Sequence, residues 1–431
     1  MIRKSSLFHD QYKLYHHTMA QFTKAFVPAA LDLRTLAMTA STMPSAQPSV
    51  PWKDSKRLLW MFGLLVPVLP FVGWGLVTLT GIKLFWWITP AFIYGVVSIL
   101  EPLIGTDVSN PPEDAVRRLE DERYYRWCVF LFLPLQYAGL LWGAWMAARG
   151  GLGGWDIAGL AISVGMVNGI GIANAHELGH KTNALERWLA KIVLAPTGYG
   201  HFVVEHNRGH HVRVATPEDP ASARMGESFW AFLPRTVIGA ARSAWHLEKE
   251  RLQRKGKSAW SLENDVLNAW IMTPLLFGAI VLWLGPVVLP FLILQAVWGF
   301  SLLEVVNYLE HYGLCRRKLP SGRYERCQPE HSWNSNHIIT NILLYHLQRH
   351  SDHHANPTRR YQSLRHFDES PQLPSGYASM IVLAYLTPLW RSIMDKRVVE
   401  HYHGDLSRIN MQPSQRERIY ARWSGRAKAA A

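Results

Sequence analysis

Residues 58–82 read LLWMFGLLVPVLPFVGWGLVTLTGI, twenty-five consecutive positions without a charged side chain. At a helical rise of about 1.5 Å per residue, such a run crosses a hydrocarbon layer about 30 Å thick. A buried helix of a soluble domain seldom needs so many uncharged positions in a row. Working outward, residues 84–100 (LFWWITPAFIYGVVSIL), 127–148, 155–175, 266–284 and 286–303 are of the same material. Gly285–Pro286 parts the last two. The pattern predicts an all-α integral membrane protein with six transmembrane helices, grouped four and then two.

The segments between the spans are opposite in kind. The 431-residue chain has 45 Lys+Arg against 32 Asp+Glu, a formal charge of +13. Segments 105–126, 176–265 and 304–431 hold nearly all the charge outside the N-terminus. An even number of spans returns them all to one side, and the opposite loops hold little basic charge beyond Lys83 and Arg149. The positive-inside rule then puts both termini and the charged segments in the cytoplasm, with the spans in a bacterial-type inner membrane. Much of the charge is thus topology, and nucleic acid is not an expected partner. Residues 1–50 lack the short apolar stretch and cleavage site of a secretory signal. The expected domains are an N-terminal cytoplasmic extension and linker (1–51, the linker at 36–51), a membrane domain (52–410) and a C-terminal tail (411–431). Stretches 187–204 and 377–390 are too short to span and read as re-entrant, interfacial or cytoplasmic core. Cys128, Cys315 and Cys327 form no C-x-x-C pair, which excludes a disulfide scaffold and thiolate metal sites within the chain.

Of twenty histidines, fourteen fall within 176–211 and 311–366. They make His176-Glu-Leu-Gly-His180, His206-Asn-Arg-Gly-His210-His211 and His350-Ser-Asp-His353-His354, with His311 isolated after the sixth span. A lone H-x-x-x-H arises by chance about once in a chain of this composition, whereas the two three-histidine patterns together do not. On a helix, His350, His353 and His354 share a face and converge on one point. His206 and His210 share another face, with His211 about a hundred degrees round. A pair with an offset neighbour suits two adjacent metals better than one. His176 and His180 follow span four and His311 follows span six, so four groups meet at one membrane face. The expected architecture is therefore six spans beneath a His-rich cytoplasmic helical cap. His331 and His337 read as hydrogen-bonding support for ligands, while His201, His246 and His366 read as ordinary surface or hydrogen-bonded residues.

His176-Glu177-Leu178-Gly179-His180 is also a literal H-E-x-x-H, which would make Glu177 the general base of an intramembrane zinc protease. One zinc needs three protein ligands, and about nine imidazoles are on offer. A carboxylate di-iron bundle would need further buried glutamates, for which the spans present no good candidates. A metal transporter would place its ligands near mid-membrane rather than at span ends. Imidazole suits iron, copper or zinc, and a redox metal accounts best for so many ligands beside an apolar pocket.

HELGHK (176–181), EHNRGHH (205–211), NYLEHYGL (307–314) and LQRHSDHHA (347–355) resemble the membrane di-iron desaturase and hydroxylase superfamily. Within it the resemblance is to the alkane 1-monooxygenases, with xylene monooxygenase as a near relative, and it covers roughly residues 52–410. Fatty-acyl desaturases typically carry H-x-x-H-H in the second box, where this chain has H-x-x-x-H-H. The resemblance implies two iron ions held by His176, His180, His206, His210, His211, His311, His350, His353 and His354. Glu177, Asn307, His331 and His337 would support them, with no catalytic side chain beyond the ligands. It further implies hydroxylation of the terminal methyl of medium-chain n-alkanes with O2. Electrons would come from rubredoxin, reduced in turn by an NAD(P)H-linked reductase. Arg and Lys residues in 316–326 and 359–365 are candidate donor-docking positions. Trp60 and Ile93, with Phe85, Trp86 and Phe92, are candidates for the wall of a substrate tunnel.

Overall fold

The computed structural model describes residues 52–427, which fold as helices without a named strand. The linker and extension expected before residue 52 lie outside the described residues. Six described helices are long and apolar enough to cross a membrane: Leu59–Thr80, Lys83–Ile104, Arg123–Ala148, Gly154–Gly179, Asp265–Leu284 and Pro286–His311. They are the six spans that the apolar runs predict. The fourth and sixth continue past the expected ends at 175 and 303, so His176 and His311 sit on the helices themselves. The hydrophobic runs stop earlier because these last turns are buried by the cap rather than by lipid. Residues 302–311 are all buried.

Short turns join the spans at one end, where Lys83 pairs with Asp156 at 3.3 Å. At the other end the charged segments form the cap. The chain leaving the second span is laced to it there, with the Asp107 N–H donating to Asn336 O (2.9 Å) and the Ile338 N–H to Gly105 O (3.1 Å).

The segment 187–204 is re-entrant. The helix Ala184–Leu194 turns back among the spans, and a short 3-10 turn with Gly198 at φ 69° reverses it. Backbone carbonyls freed at that reversal cannot reach water, so side chains within the spans must satisfy them. Gln136 donates to Val193 O (3.1 Å), Tyr137 to Ile192 O (2.7 Å), Thr273 to Ala195 O (2.8 Å) and Gln295 to Pro196 O (2.7 Å). Asn168 on the fourth span completes the set by donating to Gln295 Oε1 at 2.6 Å. The stretch 377–390 contains the helix Tyr377–Tyr385, which packs on the sixth span, and the start of the helix Thr387–His401. In the expected tail, the helix Arg416–Ala427 buries Ile419 and Trp423 in the same core as Tyr312 and Trp390.

The fourth and sixth spans cross with their backbones nearly touching. A Cβ on Gly165 would lie 2.6 Å from Gln295 O, one on Gly169 would lie 2.7 Å from Gly299 O, and one on Gly299 would meet Thr197 Cγ2 at 2.8 Å. Gly165 and Gly169 form a G-x-x-x-G face, the spacing that lets two membrane helices approach this closely. His176 is two turns beyond that contact on one helix, and His311 is about three turns beyond it on the other. Gly169→Val is expected to push the helices apart, at an overpacking cost on the order of 2 kcal/mol. It should lower both the unfolding temperature in detergent and the metal content per chain. A variant with wild-type values of both would refute this role for the crossing.

Candidate metal centre

The nine histidines of the motifs form two adjoining groups. His176, His180, His206, His211 and His353 each offer a ring nitrogen within 4.8 Å of the others, and so do His210, His311, His350 and His354. His211 Nε2 lies 3.1 Å from His206 Nε2 and 3.0 Å from His353 Nε2, and His350 Nε2 lies 2.9 Å from His354 Nε2. The groups adjoin at His211 and His354, whose ring centroids are 4.4 Å apart.

This partition corrects two expectations from helical spacing. His350, His353 and His354 do not converge on one point, because His353 joins the first group and the other two join the second. A helix of only six residues, His350–Ala355, can serve both sides because it lies between the groups. His206 and His210 do not share a group either, and His206 goes with His211. The backbone over Glu205–His210 is wound as a π-helix, whose i→i+5 pairing brings residues five apart together. That turn is braced from several sides. Arg213 donates to Glu205 at 2.7 Å across Gly209, where a Cβ would run into both side chains. Asn207 Nδ2 donates to Gly179 O (3.2 Å) and Val203 O (2.8 Å), tying the turn to the end of the fourth span.

The electrostatics suit a cation. Burial pushes His180, His206, His211, His350, His353 and His354 well below the ordinary histidine range, and the neighbouring histidines push the same way. These rings are therefore neutral at pH 7 and hold lone pairs. The Nε2 atoms of His176, His180, His210 and His311 are buried without a hydrogen-bond partner. Orphaned ring nitrogens are costly unless something accepts their lone pairs. Separations near 3 Å between Nε2 atoms match the edge of a coordination shell with metal–nitrogen bonds of about 2.1 Å. Donor type, neutrality and spacing thus all fit metal ions of the kind imidazole binds.

One carboxylate outside the motifs, Asp219, orients this set, and a second, Glu310 of the NYLEHYGL stretch, borders it. Asp219 Oδ2 is 2.9 Å from His210 Nδ1, so the ring gives its proton there and turns Nε2 inward. Burial alone would raise the Asp219 pKa, but His210 and the Ser222 hydroxyl hold it down at about 2. Glu310 Oε2 lies 3.2 Å from His350 Nε2, the same nitrogen that faces His354, so this carboxylate borders the second group rather than holding its ring from behind, while its Oε1 accepts from Tyr377 Oη at 2.7 Å. Among the four support candidates, no side chain hydrogen-bonds an imidazole of either group. Glu177 pairs with Lys181 at 3.1 Å. Asn307 donates to Glu304 (3.2 Å), and His337 Nδ1 bonds Ser335 Oγ (3.0 Å). His331 sits with Glu325 and Glu330 in a third group of metal-compatible geometry. The Gln328 N–H donates to its Nδ1 at 2.9 Å, so the neutral ring carries its proton on Nε2. Burial holds this histidine neutral by lowering its pKa to about 4. Nε2–H faces Glu325 (3.4 Å) and Glu330 (3.6 Å), leaving no lone pair for a metal.

An almost wholly apolar cavity lies one helical turn from the centre. Ile93 of the second span, Ala173 of the fourth and Val306 of the sixth line it, with Thr340, Leu343 and Tyr377 from the cap. Ala173 precedes His176 by one turn, and Tyr377 reaches His350 through Glu310. Trp60 is not on this wall: it is fully buried elsewhere, against His346 and Tyr361, and donates to Asp54. Trp86 packs in another apolar cluster, and Phe92 packs beside the cavity's own.

The fatty acid desaturase family model matches residues 153–384. Alkane 1-monooxygenase 1 of Alcanivorax borkumensis is 49% identical over 364 residues, 84% of this chain and 90% of that protein. Alkane 1-monooxygenase of Pseudomonas putida is 47% identical, again over 84% of this chain and 90% of the relative. The hydroxylase component of xylene/toluene monooxygenase of Pseudomonas putida is 28% identical over 56% of this chain and 64% of its own length. With its histidines gathered beside an apolar cavity at the end of six spans, the chain belongs to the alkane 1-monooxygenase family of membrane-bound oxidoreductases.

Proposed function

We propose that the chain hydroxylates the terminal methyl group of medium-chain n-alkanes, using O2 and electrons from reduced rubredoxin. The observation that carries this reading is the pair of adjoining groups of neutral imidazoles, with an almost wholly apolar cavity one helical turn from His176. His176, His180, His206, His211 and His353 would hold one iron, and His210, His311, His350 and His354 the other. An unactivated methyl gives acid–base or nucleophilic groups nothing to act on, and a bound iron pair supplies the redox chemistry with O2 that it requires. The protein's own part is positioning. A chain lying between Ile93, Ala173 and Val306 presents its end to the imidazoles, and the apolar wall excludes water from the reacting carbon. Asp219 keeps His210 in one tautomer, and Tyr377 anchors Glu310 beside His350.

The His-bearing end faces the cytoplasm in this reading, where the donor arrives after reduction by an NAD(P)H-linked reductase. Of the two basic segments, 359–365 is committed internally: Arg359 bonds Asp352, Arg360 bonds Glu186, and Arg365 pairs with Glu113. Lys318, Arg323 and Arg326 in the other are exposed and form the docking surface for an acidic rubredoxin.

The deciding experiment supplies purified protein with reduced rubredoxin, O2 and octane. Two irons per chain and 1-octanol as product are expected, and one zinc with no alcohol would sink the reading. Ile93→Trp should shift the preference towards shorter alkanes, and an unchanged chain-length profile would remove Ile93 from the substrate's path. Asp219→Asn is expected to weaken iron retention by about ten- to a hundredfold, read by chelator competition. Turnover should fall steeply with added salt when rubredoxin is the donor, and a flat response would argue against docking by charge.

A further inference from the structure

Glu101 is fully buried in the last turn of the second span and is not among the groups that approach the imidazoles. It lies two turns beyond Ile93, with Val97 between them, and all three face inward. Its Oε1 accepts the backbone N–H of Thr340 (3.2 Å) and the Thr340 hydroxyl, while Oε2 is buried without a partner. The same carboxyl group fills the space above Gly376, where any Cβ would collide with it. Gly376 caps the N-terminus of Tyr377–Tyr385.

These contacts have a common destination. Thr340 and Leu343 belong to one cap helix on the cavity wall, and Tyr377, Ala378 and Ile381 belong to another. Glu101 touches the backbone of the first and the cap residue of the second, and its own helix carries Ile93 on the opposite wall. It therefore bridges the walls without lining the cavity. It also consumes the donor of Thr340, much as Glu310 consumes that of Tyr377. No hydroxyl proton on this wall is then free to bind a water molecule or a product alcohol. A buried carboxyl group with an unsatisfied oxygen is an expensive tie between helices. Its placement between two walls of one cavity gives that expense a purpose.

We propose that Glu101 is a positioning residue that sets the width of the alkane cavity, and so determines chain-length preference and terminal selectivity. This rests on the cavity being the alkane's site. In Glu101→Ala, the Thr340 hydroxyl is released and the walls lose their spacer. The chain should then slide, with about a tenfold change in the octane-to-dodecane ratio of kcat/KM. 2-Alcohols should appear beside the 1-alcohols. Glu101→Gln retains an acceptor for Thr340 and should restore the wild-type profile. Gly376→Ala, which displaces the carboxyl group from a residue off the cavity wall, should reproduce the Ala phenotype and carries the test if Glu101→Ala does not accumulate. Metal content is measured in each variant. Wild-type chain-length profile and regiochemistry in metal-replete Glu101→Ala or Gly376→Ala would overturn the proposal. Wild-type protein that makes no alcohol from any alkane would instead overturn the reading of the site.

Discussion

The contact between the fourth and sixth spans at Gly165, Gly169 and Gly299 is the constraint on which the rest depends. Lipid provides little hydrophobic drive between helices, so close backbone packing must hold them. That approach brings two long helices to the cap with their last turns side by side, one ending at Gly179 and the other at His311. Rigid helices place a ligand better than loops do, and each of these delivers to a different imidazole group. The remaining histidines arrive on short segments that are fitted around this pair.

Those short segments show why local winding matters. Two groups of ligands set side by side require neighbouring residues in one motif to face opposite ways. An ideal α-helix would put His206 and His210 on one face. The π-wound turn sends His206 and His211 to one group and His210 to the other, and the Glu205–Arg213 bridge over Gly209 holds that winding. π-Turns are frequent at functional sites because they re-aim side chains at the cost of one irregular turn. Here the re-aiming separates one metal-compatible group into two.

Much of this was legible in the sequence, and the failures share a cause. The spans could be read because hydrophobic length is a one-dimensional property. The nine histidines stood out because such clusters of imidazoles are rare. What could not be read depends on partners distant in sequence. Asp219 looks like any loop aspartate until His210 is beside it, and Glu310 reads as part of a motif until His350 and Tyr377 flank it. The His331 side chain hydrogen-bonds neither imidazole group, and one backbone N–H from Gln328 decides its tautomer. Trp60 and Ile93 were equivalent as apolar span residues, and packing alone separates a cavity wall from a core. Pairing between His206 and His211 was hidden because helical periodicity assumes the α geometry that this turn lacks.

The cavity and the centre impose opposite demands across a single turn of helix. Ala173 must sit in an apolar wall, while His176, three residues on, must offer a lone pair to a cation. A free donor near this boundary would draw water towards the imidazoles and blur the apolar slot. Thr340 and Tyr377 stand there with hydroxyl groups, yet each directs its proton away from the cavity, to Glu101 and Glu310. Replacing either hydroxyl by an apolar group would seem simpler, but the hydroxyl–carboxylate bonds do more than hide a proton. They tie the cap to the second and sixth spans beside the cavity. In the proposed reading the same two contacts keep free hydroxyl donors off the cavity wall and set its width, so selectivity for a chain's end need not come from any group that touches the reacting carbon.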